Sequence, residues 1–286
     1  MKNLALGTAI WGWAVDKEIC FKMLDLFYES GERYIDTASN YPINGLSKDR
    51  YASENIIAEW IKINGINDVN IIYKLGSIAN TNTPKNNLSS EFITNEFNRI
   101  ITKFNNNKII LMIHWDNRNN INEIKNSLKH LISLTNTDIG FSGIKYPEKY
   151  NEVIQEIGYD QSFYIEAKSN IYQSFINHYD DMSNNVSRIF AYGISVSGLK
   201  LNLSDYSKDS YLNLVRDESF HGEIMTGDLK NKIEELKLKN KKIKSMYHIG
   251  MMLSEVNKNL YGYIVAPRNQ SQLFDIINFR KHLINI

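Results

Sequence analysis

Short apolar runs and longer segments with helical spacing take turns along the whole chain. The runs fall at 4–7, 34–37, 69–74, 109–114, 139–142, 164–167, 189–192 and 263–265, and their length and apolar character suit parallel strands buried on both faces. After the first run, Ile19, Met23, Leu26 and Phe27 share one helical face, which Gly31 closes. Ser53 precedes Ile56, Ile57, Trp60 and Ile61, with Gly65 as the stop. Phe92, Ile93, Phe97, Ile100, Ile101 and Phe104 make the next stripe. Ile121, Ile124, Leu128, Leu131 and Ile132 follow, and then Tyr150, Val153, Ile154 and Ile157.

Strict alternation of strand and helix predicts parallel βαβ units, hence an α/β fold. Eight strands fit a closed (β/α)8 TIM barrel, although an open doubly wound sheet has the same local pattern. The open sheet would want a Gly-rich phosphate turn after its first strand. Gly7 and Gly12 flank Thr8 and Trp11 there, with no G-x-G-x-x-G, so the barrel is preferred. One domain over 1–286 is expected, because a barrel of this kind takes roughly 250 residues. Its least regular stretch is 199–226, polar, Ser- and Asp-rich and containing His221 and Gly222. A loop of that length in a compact domain is usually functional or disordered, so it is read as a candidate lid.

Charge changes the picture little. Lysine plus arginine and aspartate plus glutamate nearly cancel, leaving a formal charge of +1. This gives no support for a nucleic-acid or acidic-membrane partner. The basic run 237–244 reads as a solvated helix face or turn. A single cysteine, Cys20, rules out an internal disulfide and a thiolate-rich metal centre, and it is expected in the core. The first apolar stretch is too short and too glycine-broken for a signal peptide, and no run is long enough to span a bilayer. A cytoplasmic location is the expectation.

Candidate chemistry lies at the C-terminal ends of the runs. Asp36 ends the second, Lys74 the third, His114 the fourth and Ser142 the fifth. Barrel enzymes build their sites at this end of their strands. Charged groups on buried strands are costly unless paired or used. A lone buried Asp–Lys pair or strand-end His is often structural, but three such groups at one depth on consecutive strands point to a site.

At these residues the sequence resembles the aldo-keto reductase family, over nearly the whole chain. The stretch 34–41, Tyr-Ile-Asp-Thr-Ala-Ser-Asn-Tyr, is similar to the family's strand-to-loop signature, with Asp36 and Tyr41 five apart; Ser53 and Glu54 also fit. Ile-Ile-Tyr-Lys at 71–74 resembles the strand bearing the catalytic lysine, and Leu-Met-Ile-His-Trp at 111–115 the one bearing the catalytic histidine. The resemblance implies NAD(P)H-dependent reduction of an aldehyde or ketone with Tyr41 as general acid. Lys74 would stabilise the phenolate and lower the phenol's pKa, Asp36 would hold Lys74, and His114 would bond the carbonyl oxygen.

The cofactor residues that the resemblance implies are Gly7, Thr8, Asp36, Ser142, Glu166, Tyr192, Arg268, Asn269 and Gln272. Gly7 and Thr8 would approach the nicotinamide ribose. Ser142 and Glu166 would hold the carboxamide, with Glu166 in place of a Gln and Gly143 in place of an Asn. Tyr192 would stack on the nicotinamide. Arg268 would pair with a 2′-phosphate, favouring NADPH over NADH. Leu-Gly-Thr-Ala at 6–9 is close to a variant of members in bacterial sugar or surface-glycan pathways, which suggests a sugar or sugar-nucleotide substrate and a part in carbohydrate biosynthesis. The first barrel strand lies almost at the start of this sequence and little follows its last helix, so the family's N-terminal hairpin is expected to be absent or very short, its long C-terminal loop missing and the pocket open. Monomer or weak homodimer is the expected state.

Two other readings share the fold: an NADPH-binding, non-catalytic regulatory member, and a Schiff-base aldolase or dehydratase using Lys74. Metal catalysis is not expected. The six histidines show no H-x-x-x-H spacing, and residues 178–181 read as a solvated turn.

Overall fold

Every apolar run becomes a strand, and the strands close on themselves in chain order. The computed structural model describes residues 1–79, 85–104, 107–134, 138–182, 188–206 and 223–284. The strands are β1 (Asn3–Gly7), β2 (Tyr34–Ala38), β3 (Asn70–Leu75), β4 (Lys108–His114), β5 (Ile139–Ser142), β6 (Phe163–Lys168), β7 (Arg188–Tyr192) and β8 (Leu260–Val265). All neighbours are parallel, and β8 pairs with β1 to complete an eight-stranded barrel. The predicted (β/α)8 architecture is the one observed.

Helices α1 (Lys17–Glu29), α2 (Ala52–Asn64), α3 (Ser90–Phe104), α4 (Ile121–Leu134) and α5 (Pro147–Glu156) cover the outside where the stripes predicted them. Gly65 ends α2 at φ 63°, a left-handed turn that a residue without a Cβ adopts freely. Beyond β6 the chain makes a 3-10 stretch at Ile176–Met182, with Ile176, Tyr179 and Met182 buried. Helices α6 (Gly227–Lys239), α7 (Met246–Val256) and α8 (Gln270–Ile284) complete the described outer layer. The basic run ends α6 and forms the turn after it. Of the candidate lid, residues 207–222, including His221 and Gly222, lie outside the described residues. No described helix is long and apolar enough to cross a membrane.

Both faces of the strands are buried, which explains their continuous apolar character. The outer faces pack against the helices through residues such as Leu4, Ile35, Ile71, Tyr73, Leu111 and Phe141. The inner faces make a smaller cluster of Ala5, Ile72, Ile110, Met112, Tyr164, Phe190 and Ile264, with Tyr34 and Tyr261 packed against it. Side chains alternate in direction along a strand, so the next inward positions toward the C-terminal end are fixed by parity. They are Gly7, Asp36, Lys74, His114, Ser142, Glu166 and Tyr192. An apolar and aromatic plug therefore lies directly beneath a polar ring.

Outside the barrel, Tyr73 meets a buried ionic cluster. Its hydroxyl donates to Glu54 at 2.6 Å, and Arg99 donates to it at 2.6 Å. Glu54 also pairs with Arg99 and with Lys103, and Glu96 pairs with Arg99. Each buried carboxylate thus has a cation, the condition under which such groups are tolerated. Cys20 is fully buried, and burial pushes its thiol up to about 12, so it packs as an apolar residue.

Candidate active site

The polar ring opens into a cavity of about 800 Å³ at the C-terminal mouth of the barrel. Asp36, Lys74, His114, Ser142, Glu166 and Tyr192 line it from their strand ends, and Tyr41 enters from the loop after β2. Tyr41 is only 8% exposed, which distinguishes it from an ordinary loop aromatic. The loop is held from two sides. Ser39 N–H donates to the Lys74 carbonyl at 2.9 Å, and Ile43 N–H to the Ala9 carbonyl at 3.0 Å.

The four residues of the expected tetrad come together. Lys74 forms a buried ion pair with Asp36. Its ammonium lies 5.2 Å from the Tyr41 ring centroid, and its charge pulls the phenol toward ionisation. The Tyr41 and His114 rings meet edge to face with centroids 6.2 Å apart. His114 Nδ1 is buried and meets no hydrogen-bond partner among the described residues.

Glu166 is the unexpected partner. It is 3% exposed, lies 3.2 Å from the Lys74 ammonium and accepts a hydrogen bond from the Ser142 hydroxyl at 3.1 Å. Two carboxylates therefore share one ammonium. Burial, and then Glu166, raises Asp36 well above the usual carboxylate range, against the pull of Lys74. Burial opposes the charge on Lys74, but Asp36 and Glu166 outweigh it and hold the amine protonated. Burial, then Lys74, keep His114 well below the ordinary imidazole value, so the ring is neutral.

For Tyr41 the outcome departs from the expectation that Lys74 would make the phenol more acidic. Lys74 does pull in that direction, but burial is the larger effect, and Asp36 and Glu166 add to it. The phenol ends above its ordinary value. An ammonium already shared by two carboxylates has little field left for a third anion.

The remaining predicted cofactor residues are placed in two groups. Gly7, Arg268, Asn269 and Gln272 line the same cavity, the last three where the chain enters α8. Arg268 donates to the Ala14 carbonyl at 3.2 Å, while its Nε is buried with no partner among the described residues. Gln272 accepts from Arg268 N–H and Asn269 accepts from Gln272 N–H, both at 2.9 Å, so both amides help start α8. Thr8 does not line the cavity. It is fully buried and its hydroxyl donates to the Asp36 carbonyl at 2.9 Å, tying β1 to β2. Ser53 makes a similar tie from α2, donating to the Thr8 and Trp11 carbonyls.

Sequence reasoning missed one wall of the cavity. After β7, Gly193 lines the cavity, and the chain then turns through Val196, Ser197 and Gly198 at φ 54°, 58° and 82°, which brings Ser197 to the cavity beside Lys200 of the candidate lid stretch. Positive φ at Val196 is a strained choice for a β-branched residue, of the kind that clusters at functional sites. Gly193 and Gly198, bracketing a short segment just past a strand, were the available signal. Trp115 was also passed over. Its indole packs 4.8 Å from the His114 ring and occupies the space a side chain at residue 143 would fill. That packing gives Gly143 its physical reason. Among the described residues no cluster of potential ligands could hold a metal ion.

The sequence model described as the Aldo/keto reductase family matches residues 3–192. Similar curated proteins include norsolorinic acid reductase of Emericella nidulans, 29% identical over 46% of this chain and 36% of that protein. An aryl-alcohol dehydrogenase [NADP(+)] of Phanerodontia chrysosporium is 31% identical over 42% of this chain and 32% of its own. A putative aryl-alcohol dehydrogenase of Saccharomyces cerevisiae is 28% identical over 47% of this chain and 65% of its own. The alignments thus span about a third of the first two relatives and 65% of the third.

Proposed function

The chain belongs to the aldo-keto reductase family, and on that premise we propose that it reduces an aldehyde or ketone to the alcohol, with NADPH as cofactor and Tyr41 as proton donor. The observation that carries this reading is the convergence of Tyr41, Lys74, Asp36 and His114 on one end of one cavity.

The chain's own residues suit a dinucleotide. The cavity extends from the polar ring to the start of α8, and two buried polar atoms without partners among the described residues, His114 Nδ1 and Arg268 Nε, belong to residues that line its two parts. Ser142 and Glu166 would hold the carboxamide, Tyr192 and Gly7 would flank the nicotinamide and its ribose, and Arg268, Asn269 and Gln272 would take the adenosine phosphate. When bound, the cofactor supplies a hydride to the carbonyl carbon. The protein's part is to place and protonate the oxygen. His114, neutral, offers an N–H without competing for the proton. Tyr41 gives its hydroxyl proton to the developing alkoxide, and Lys74 compensates the phenolate that remains.

Two carboxylates around Lys74 oppose the Schiff-base alternative, which needs a neutral amine. For the substrate, an aromatic residue, Trp115, lining the cavity beside His114 favours an aryl carbonyl, and two of the similar proteins are named for aryl alcohols. A sugar or sugar-nucleotide is the second choice and rests on the Leu-Gly-Thr-Ala resemblance. The test is loss of NADPH absorbance with a panel of aryl aldehydes and aldoses. Tyr41→Phe should lower kcat about 10²- to 10⁴-fold. A chain that consumes NADPH with no carbonyl, or a Tyr41→Phe variant as active as the parent, would remove the proposal.

A further inference from the structure

We propose that Glu166 is a positioning residue that shares the Lys74 ammonium with Asp36 and so keeps the Tyr41 phenol protonated, leaving the site a proton donor to carbonyls and a poor proton acceptor from alcohols. The consequence for turnover rests on the reductase reading above; the state of the phenol does not.

The geometry begins with a charge count. Lys74 is 1% exposed and is paired with Asp36 on one side and Glu166 on the other. Two carboxylates against one ammonium leave one negative charge in excess once all three are ionised; the raised Asp36 takes up that excess as a proton at lower pH, so the count applies in the alkaline range where the phenol itself would ionise. With an amide at position 166 the count would be zero. Glu166 is fixed in that role, because one oxygen accepts the Ser142 hydroxyl while the carboxylate faces Lys74.

Among the described residues, Lys74 is the cation that pairs with Asp36 and Glu166. The groups facing Glu166 and Tyr41 are Asp36 from β2, Lys74 from β3, His114 from β4, Ser142 from β5, Tyr192 from β7 and Tyr179 from the 3-10 stretch. Lys74 is the one cation among them, since His114 is held neutral. A phenol that ionises here adds a second uncompensated anion to a buried cluster. An opposite or like charge within ~4–6 Å typically moves a pKa by 1–3 units. Carbonyl reduction needs Tyr41 as the phenol and alcohol oxidation needs it as the phenolate. A higher phenol pKa therefore extends the reductive plateau upward in pH and delays the oxidative limb.

The free protein, labelled with ¹³C at tyrosine Cζ, provides the test. The Tyr41 resonance is assigned by its loss in Tyr41→Phe and followed against pH. In the parent protein it should remain that of a phenol through pH ~10, the ordinary midpoint of tyrosine. In Glu166→Gln the midpoint should fall by at least about one pH unit, and the pH at which kcat/KM for reduction declines should fall with it. A parent Tyr41 that ionises at or below the ordinary midpoint overturns the proposal, as does a midpoint unmoved in a folded Glu166→Gln variant. If that variant does not fold, Glu166→Met is titrated in its place, and an unmoved midpoint there overturns the proposal equally. A protein that reduces no carbonyl would sink the reductase reading while leaving the titration to stand or fall by itself.

Discussion

His114 is neutral because of where β4 leaves it. Burial, and then the nearby Lys74 charge, hold its pKa well below the ordinary value. In the unfolded chain the same ring takes a proton as pH falls through about 6.5. The folded protein refuses that proton, so the stability tied to the neutral ring is complete above this pH and is lost as acidity increases toward the depressed value. The loss approaches about 1.4 kcal/mol per pH unit within that window. His114→Asn should accordingly flatten the dependence of unfolding free energy on pH between about 6 and 4.5, as read by urea titration. Equal slopes in parent and variant would show that the ring protonates normally in the fold.

Strand ends and the loops after them carry the next level of control. Gly143 follows β5 at φ 67°, and a Cβ there would stand 2.3 Å from Trp115 Cδ1. Trp115 itself has φ 57° and donates its N–H to the Ser142 carbonyl at 2.9 Å. The two loops interlock, so Gly143→Ala should displace the indole and cost about 1–3 kcal/mol of stability, seen as a lower urea midpoint. An unchanged midpoint would mean the indole yields freely. Elements of this kind also mark how far sequence reasoning reached. The eight strands were legible because a strand buried on both faces leaves an unbroken apolar run, and Asp36, Lys74 and His114 were legible because charge interrupts such runs at one depth. Helix α7 was not, since Met246, Ile249, Met251, Met252 and Leu253 leave it little polar contrast. The bond from Glu166 to Lys74 was equally hidden, because it joins residues 92 apart that only barrel closure brings together.

For the whole molecule, the cavity draws its walls from β1, β7 and the start of α8, segments far apart in the chain. A ligand filling it would bind the folded barrel alone and stabilise it by about 2.7 kcal/mol at a hundred times its Kd. NADPH should therefore raise the melting temperature more than NADH at equal concentration, and Arg268→Ala should erase the difference. Equal shifts in the parent protein would remove the assigned role of Arg268. Strand β3 shows a further property of the closed sheet. Both of its faces are apolar enough that sliding it by one residue would cost little in hydrophobic burial. Yet Tyr73 is bound to Glu54 and Arg99 on the outside, and its neighbour Lys74 to Asp36 and Glu166 on the inside. The strand is pinned through the wall like a rivet, and a single inserted residue would pull out both heads at once.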